Sequence, residues 1–143
     1  MRTPLFRLAL LTALAVAALL PLSAMAAGSP TVTGSKPAIE MKATKIGKVI
    51  ATPGKIAIYY WDTEKKAGGK IRCTGACAAQ WPPIYVKGMV TKHPAGVMAT
   101  FGTIKRGSKI QLTVNGLPAY TYHEDTAGIV LCDNVDGWHA VRA

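Results

Sequence analysis

The chain has 143 residues, with 17 lysines and arginines against 7 aspartates and glutamates and a net charge of +10. That length allows one modest hydrophobic core and excludes a multidomain architecture. Such a charge excludes an acidic exterior and favours anionic partners: phospholipid headgroups, cell-wall polymers, nucleic acid or acidic proteins. Residues 1–26 read as a cleavable signal peptide. Arg2 and Arg7 give a positive start, an apolar stretch runs from Leu8 to Leu22, and Ala24-Met25-Ala26 supplies a small-residue cleavage site. The stretch is short of the roughly 20 apolar residues of a membrane span. No cysteine follows it for lipid attachment, and no later segment is apolar enough to span. Removing 26 of the 143 residues leaves 117, and taking Arg2 and Arg7 from +10 leaves +8. The mature chain is expected to be secreted or periplasmic, without a lipid anchor or a transmembrane segment.

Residues 27–37, rich in Gly, Ser, Thr and Pro, are expected to form a flexible leader ahead of a domain over 38–143. Ile39 and Met41 then alternate with polar residues. Val49–Thr52, Pro53-Gly54 and Lys55–Trp61 read as strand, turn and strand. Thr74 can cap a short helix running from Gly75 to Trp81, which Pro82-Pro83 stops. Residues 87–100, with Gly88, Pro94 and Gly96, read as a connecting loop. Ile110, Leu112 and Val114 alternate with Gln111 and Thr113, and Asn115-Gly116 is a strong hairpin signal because both positions need positive φ. A two-residue turn pairs Val114 with Leu117, Leu112 with Ala119 and Ile110 with Thr121. The alternation predicts a mostly β fold of antiparallel hairpins with one short helix near 75–81.

The chain also repeats itself. Tyr59, Trp61 and Glu64 stand in the same spacing as Tyr120, Tyr122 and Asp125. Each set follows a strand and is followed by a glycine-containing segment, a cysteine and a tryptophan, Trp81 in the first copy and Trp138 in the second. The pattern predicts two divergent copies, at about 46–86 and 101–143, packed as one domain. These residues, with Cys73-Thr74-Gly75-Ala76-Cys77 and Trp81-Pro82-Pro83, resemble the secreted-repeat family of bacterial envelope proteins, many of them predicted lipoproteins, whose motif is Tyr-x-(Phe/Trp/Tyr)-x-x-Asp. This chain departs from the pattern at Glu64, where aspartate is usual, at Ala119, where leucine is common, and in the extra Cys132. The resemblance implies an envelope location and no known biochemical activity.

Cys73 and Cys77, four apart in a chain read as exported, are expected to form a structural disulfide. A redox or metal-binding pair, and a bridge through Cys132, are the alternatives. Cys132, His123 and His139 are ligand types suited to copper or zinc, but no spacing among them matches a metal motif. No hydrolase, metalloprotease or phosphate-loop motif is present, and no cofactor is implied. Asp62, Glu64, Glu124 and Asp125 follow strands, where carboxylates accept hydrogen bonds from turn N–H groups. The motif aromatics are expected in the core. The lysines are scattered and no RNA-binding aromatic signature is visible, so no specific nucleic acid is expected. The leading reading is a non-catalytic envelope module that binds an anionic surface or another envelope protein. A metal or thiol-redox carrier is the second.

Overall fold

The computed structural model describes residues 28–143, and the expected signal peptide lies outside them. The fold is mostly β, in several small sheets with short helices. In chain order the elements are β1 (Thr31–Thr33), β2 (Ile39–Ala43), β3 (Gly47–Ala51), β4 (Tyr59–Trp61), α1 (Asp62–Lys66), α2 (Ala76–Gln80), β5 (Tyr85–Lys87), β6 (Phe101–Arg106), β7 (Lys109–Val114), β8 (Leu117–Pro118) and β9 (Trp138–Ala140). One sheet has the order β1-β5-β7-β6 with β8 on β7, while β2-β3 and β4-β9 form two-stranded pairs.

Single backbone hydrogen bonds tie these pairs together in a pattern that occurs twice. Ile58 N–H donates to Ile50 C=O (2.9 Å), Val141 N–H to Ile58 C=O (2.8 Å) and Ile50 N–H to Val141 C=O (2.8 Å). In the second half, Ala119 N–H donates to Leu112 C=O (2.9 Å), Ile84 N–H to Ala119 C=O (3.0 Å) and Leu112 N–H to Ile84 C=O (2.8 Å). The third member of each trio comes from the other copy: Val141 follows Trp138 and closes on Ile50 and Ile58, while Ile84 follows Trp81 and closes on Leu112 and Ala119. The two copies therefore exchange their last strands. The copies are related by an approximate twofold axis between Tyr59 and Tyr120, which exchange backbone bonds of 2.8 and 3.0 Å. The hairpin β2–β3 stands to Ile58 as β6–β7 stands to Ala119.

Strand alternation sorts the core into two faces. Ile50, Ile58, Ile84, Leu112, Ala119 and Val141 form an aliphatic cluster with Phe101 and Val114. Their neighbours Val49, Ala51, Tyr59 and Tyr120 turn the opposite way and join Trp81, Trp138 and Tyr122 in an aromatic cluster.

Four expectations need correction. Residues 31–33, expected in a flexible leader, form β1, parallel to β5 with Val32 buried, because β5 offers an open edge on that side. The pairing of Ile110 with Thr121 does not form. Beyond Ala119 the return strand leaves β7; Tyr120 bridges to Tyr59 and Pro83, and Thr121 N–H donates to Pro82 C=O. Thr74 does not cap α2; Gly75 holds that place at φ 56°, with no side-chain cap bond. The helix α1 was not expected, although Asp62 and Glu64 in its first turn and Lys65 and Lys66 in its last suit the helix dipole.

Candidate functional site

Around the twofold axis the motif residues of both copies meet. β4 and the segment after β8 lie side by side, which places Tyr59 and Tyr120 in the centre with both rings fully buried. Each hydroxyl crosses to the acid of the other copy. Tyr59 donates to Asp125 Oδ2 (2.6 Å), and Tyr120 donates to Glu64 Oε1 (2.7 Å). The acids in turn hold the backbone of the segment that follows. Glu64 Oε1 accepts from the N–H groups of Arg72 (2.7 Å) and Cys73 (3.1 Å). Asp125 Oδ1 accepts from Leu131 N–H (3.0 Å). Of the four acids expected on turn backbones, Glu64 and Asp125 lie there, whereas Asp62 meets His139 and Glu124 accepts from the Tyr122 hydroxyl. The tyrosine link between copies is an addition that the linear motif does not reveal.

Burial and the facing carboxylate raise the pKa of Tyr59 and of Tyr120 well above the ordinary phenol value. Burial also raises Asp125, against the opposing pull of its bonds from Tyr59 and Leu131. Glu64 is 0% exposed, and its Oε2 has no hydrogen-bond partner. Arg106, from the end of β6, lies over the Tyr120 ring at 6.0 Å and donates to Gln111 Oε1 (3.1 Å), to the Tyr120 oxygen (3.4 Å) and to the Cys73 carbonyl. Sequence reasoning passed over Arg106 because nothing in an exposed-looking hairpin end marks one arginine as inward.

The remaining aromatics form a column across the axis. Trp61 stacks on Trp138 (5.2 Å, 2° between planes), Trp138 on Trp81 (4.0 Å, 6°), and Trp81 meets Tyr122 (4.8 Å, 43°). Tyr59 and Tyr120 close the column edge-on, each 5.2 Å from the tryptophan of its own copy. The Trp61 indole N–H donates to Asp136 C=O (3.1 Å). The Tyr122 hydroxyl donates to Glu124 Oε2 (3.2 Å), and its pKa is pushed up to about 12, first by the neighbouring Cys132 thiol and then by burial.

Cys73 and Cys77 are joined in a disulfide at the base of α2, with Cα atoms 5.2 Å apart, and Cys132 is free and half-buried. The other ligand types stay apart. His123 lies 3.9 Å from Glu124. His139 stacks on Tyr60 (5.2 Å), with Nε2 3.0 Å from Asp62 Oδ2 and Nδ1 2.7 Å from Asn134 Oδ1. The bond from His139 lowers the Asp62 pKa. Among the described residues, no group of three or more His, Cys, Asp or Glu stands close enough to hold a metal ion.

Chemically, the centre is occupied by its own contacts: each buried phenol meets a carboxylate, and the indoles meet one another. A depression beside Tyr122, His123 and Asp125 encloses about 140 Å³, well under the roughly 300 Å³ at which ordinary ligand pockets begin. Among the described residues no helix is long and apolar enough to cross a membrane. No curated protein and no solved structure matches the chain. Residues 41–85, from β2 to the start of β5 and so through the whole first aromatic–acid set, match the family described as a secreted repeat of unknown function.

Proposed function

We propose that this protein is an exported, non-catalytic module of the cell envelope that binds an anionic surface through its basic exterior. The observation that carries the reading is a division of labour between interior and surface. The motif aromatics and acids are used up in contacts between the two copies. Basic charge dominates one long stretch of the chain: residues 65–123 contain nine lysines and arginines and no aspartate or glutamate. Turnover requires dissimilar groups around an open reacting position, and one pattern that pairs with itself across an axis does not supply them. The similarity to secreted repeats supports export. A carrier of copper or zinc has less support, because Cys73 and Cys77 are bound to each other and His123 and His139 have separate neighbours.

The test is sedimentation of the mature protein with anionic vesicles and with soluble polyphosphate at low and high salt, beside a hydrolase and redox activity screen. Binding to at least one anionic probe should weaken steeply as ionic strength rises past about 0.1 M, where the screening length falls to about 10 Å. Turnover in the screen, or no binding to either probe, would refute the reading.

A further inference from the structure

The two most exposed large apolar side chains of the described protein lie on one loop. Met89 is 92% exposed and Met98 80% exposed, both in the segment that joins β5 to β6. That segment is held firmly. Gly34 N–H donates to Lys87 C=O (2.7 Å), Thr91 N–H to Gly34 C=O (2.8 Å) and Phe101 N–H to Lys92 C=O (2.9 Å). Thr100 N–H donates to Asn115 Oδ1 (3.0 Å). Inside the loop, Val90 and Val97 pack on the aliphatic core, while their chain neighbours Met89 and Met98 face water. The two methionines are therefore held outward by anchored backbone.

The charged side chains on the loop and at its two anchors are basic. Lys92 and His93 are exposed on the loop, Lys87 is exposed at the end of β5 that leads into it, and Lys36 is exposed on the turn to which the loop is bonded. Glu40, which lines the same recess as Lys36, faces Lys48 at 3.8 Å. Two projecting, unbranched, flexible apolar side chains spaced among lysines do not make a shaped surface for a folded partner. They suit a fluid boundary with hydrocarbon below and phosphate above.

We infer that the 87–100 loop docks the protein on an anionic phospholipid bilayer, with Met89 and Met98 entering the headgroup–acyl boundary and Lys36, Lys87 and Lys92 meeting lipid phosphates. This rests on the anionic-surface reading and narrows it to one surface and one loop. A single insertion of this size gives reversible attachment, in which apolar burial and charge attraction add.

Vesicle flotation of the mature protein tests it, using phosphatidylglycerol–phosphatidylcholine vesicles, pure phosphatidylcholine vesicles and soluble polyphosphate as competitor. The protein should float with the anionic vesicles and not with the neutral ones. Met89→Ser with Met98→Ser should lower partitioning by about tenfold or more, since each buried methylene adds to transfer, with an unchanged thermal melt because both side chains are exposed. Lys87→Gln and Lys92→Gln should each lower it about fivefold and flatten its salt dependence. Flotation of the methionine double variant equal to that of the parent would overturn the loop assignment and leave the anionic-surface reading intact. Binding of polyphosphate without flotation would do the same. Absence of both kinds of binding would overturn both.

Discussion

A buried phenol that donates to a buried carboxylate stands in a balanced arrangement: removing either partner leaves the other without its bond and out of reach of water. Tyr59→Phe and Tyr120→Phe should each lower stability by about 1–3 kcal/mol, measured by urea unfolding. Glu64→Ala should cost more than Tyr120→Phe. It deprives Tyr120 of its acceptor, and it also frees the N–H groups of Arg72 and Cys73. The same pairs set a pH response. Burial and the carboxylates raise the phenols above their ordinary value of about 10. Their contribution to stability is thus complete below that pH and is lost as pH climbs from there toward the folded-state values. The raised Asp125 acts in the same direction, since its contribution is present in acid and lost as pH rises through its folded value. Phenolate absorbance should show Tyr59, Tyr120 and Tyr122 ionising together with unfolding in base. Ionisation of all five tyrosines before any loss of near-ultraviolet circular dichroism would contradict the buried pairs. The residue types of this centre were legible in the linear motif. Their pairing was not, because a spacing repeated along the chain does not say that each hydroxyl crosses to the other copy's acid.

At the level of elements, α2 is a five-residue helix without a side-chain cap, bridged to the preceding segment by the Cys73–Cys77 disulfide. The bridge closes a short loop, so its reduction should cost about 2 kcal/mol, the low end for disulfides. Cys132→Ser, which removes a half-buried free thiol, should change the melt little. Calorimetry of Cys132→Ser with and without reductant would measure the bridge alone. Gly69 offers a sharper probe of the contact between halves. It sits at φ +81°, and an added Cβ would lie 2.7 Å from the Gly116 carbonyl oxygen of the β7–β8 turn. Gly69→Ala should therefore cost about 1–3 kcal/mol from backbone strain and overlap, read in the same melts. Period-2 alternation and the Asn115-Gly116 turn made β7 and its return legible as far as Ala119. Past that point the strand changes partners, and local alternation holds no record of a partner some sixty residues away. The β1 strand escaped for a related reason: Gly, Ser, Thr and Pro describe a loop until a neighbouring edge, here β5, recruits them.

Across the whole molecule, two copies recognised from sequence become two halves that are each incomplete alone. The trio of Ile50, Ile58 and Val141 and the trio of Leu112, Ala119 and Ile84 both draw on both copies. Separately produced fragments 28–88 and 89–143 should be largely unfolded alone and should regain native circular dichroism when mixed. A fragment that melts cooperatively as a monomer would show that the exchange is dispensable.

The exchange also fixes when folding can happen. As the chain emerges from a ribosome or a translocation channel, Ile50 and Ile58 appear early, but their third partner is Val141. The tryptophan stack cannot be completed until Trp138, which lies between Trp61 and Trp81, has arrived. The first half must wait, loosely collapsed, for the second, and contacts between residues so distant in the chain form slowly. For a chain threaded across a membrane before it folds, such a delay is an advantage, since the order of the chain itself favours late closure.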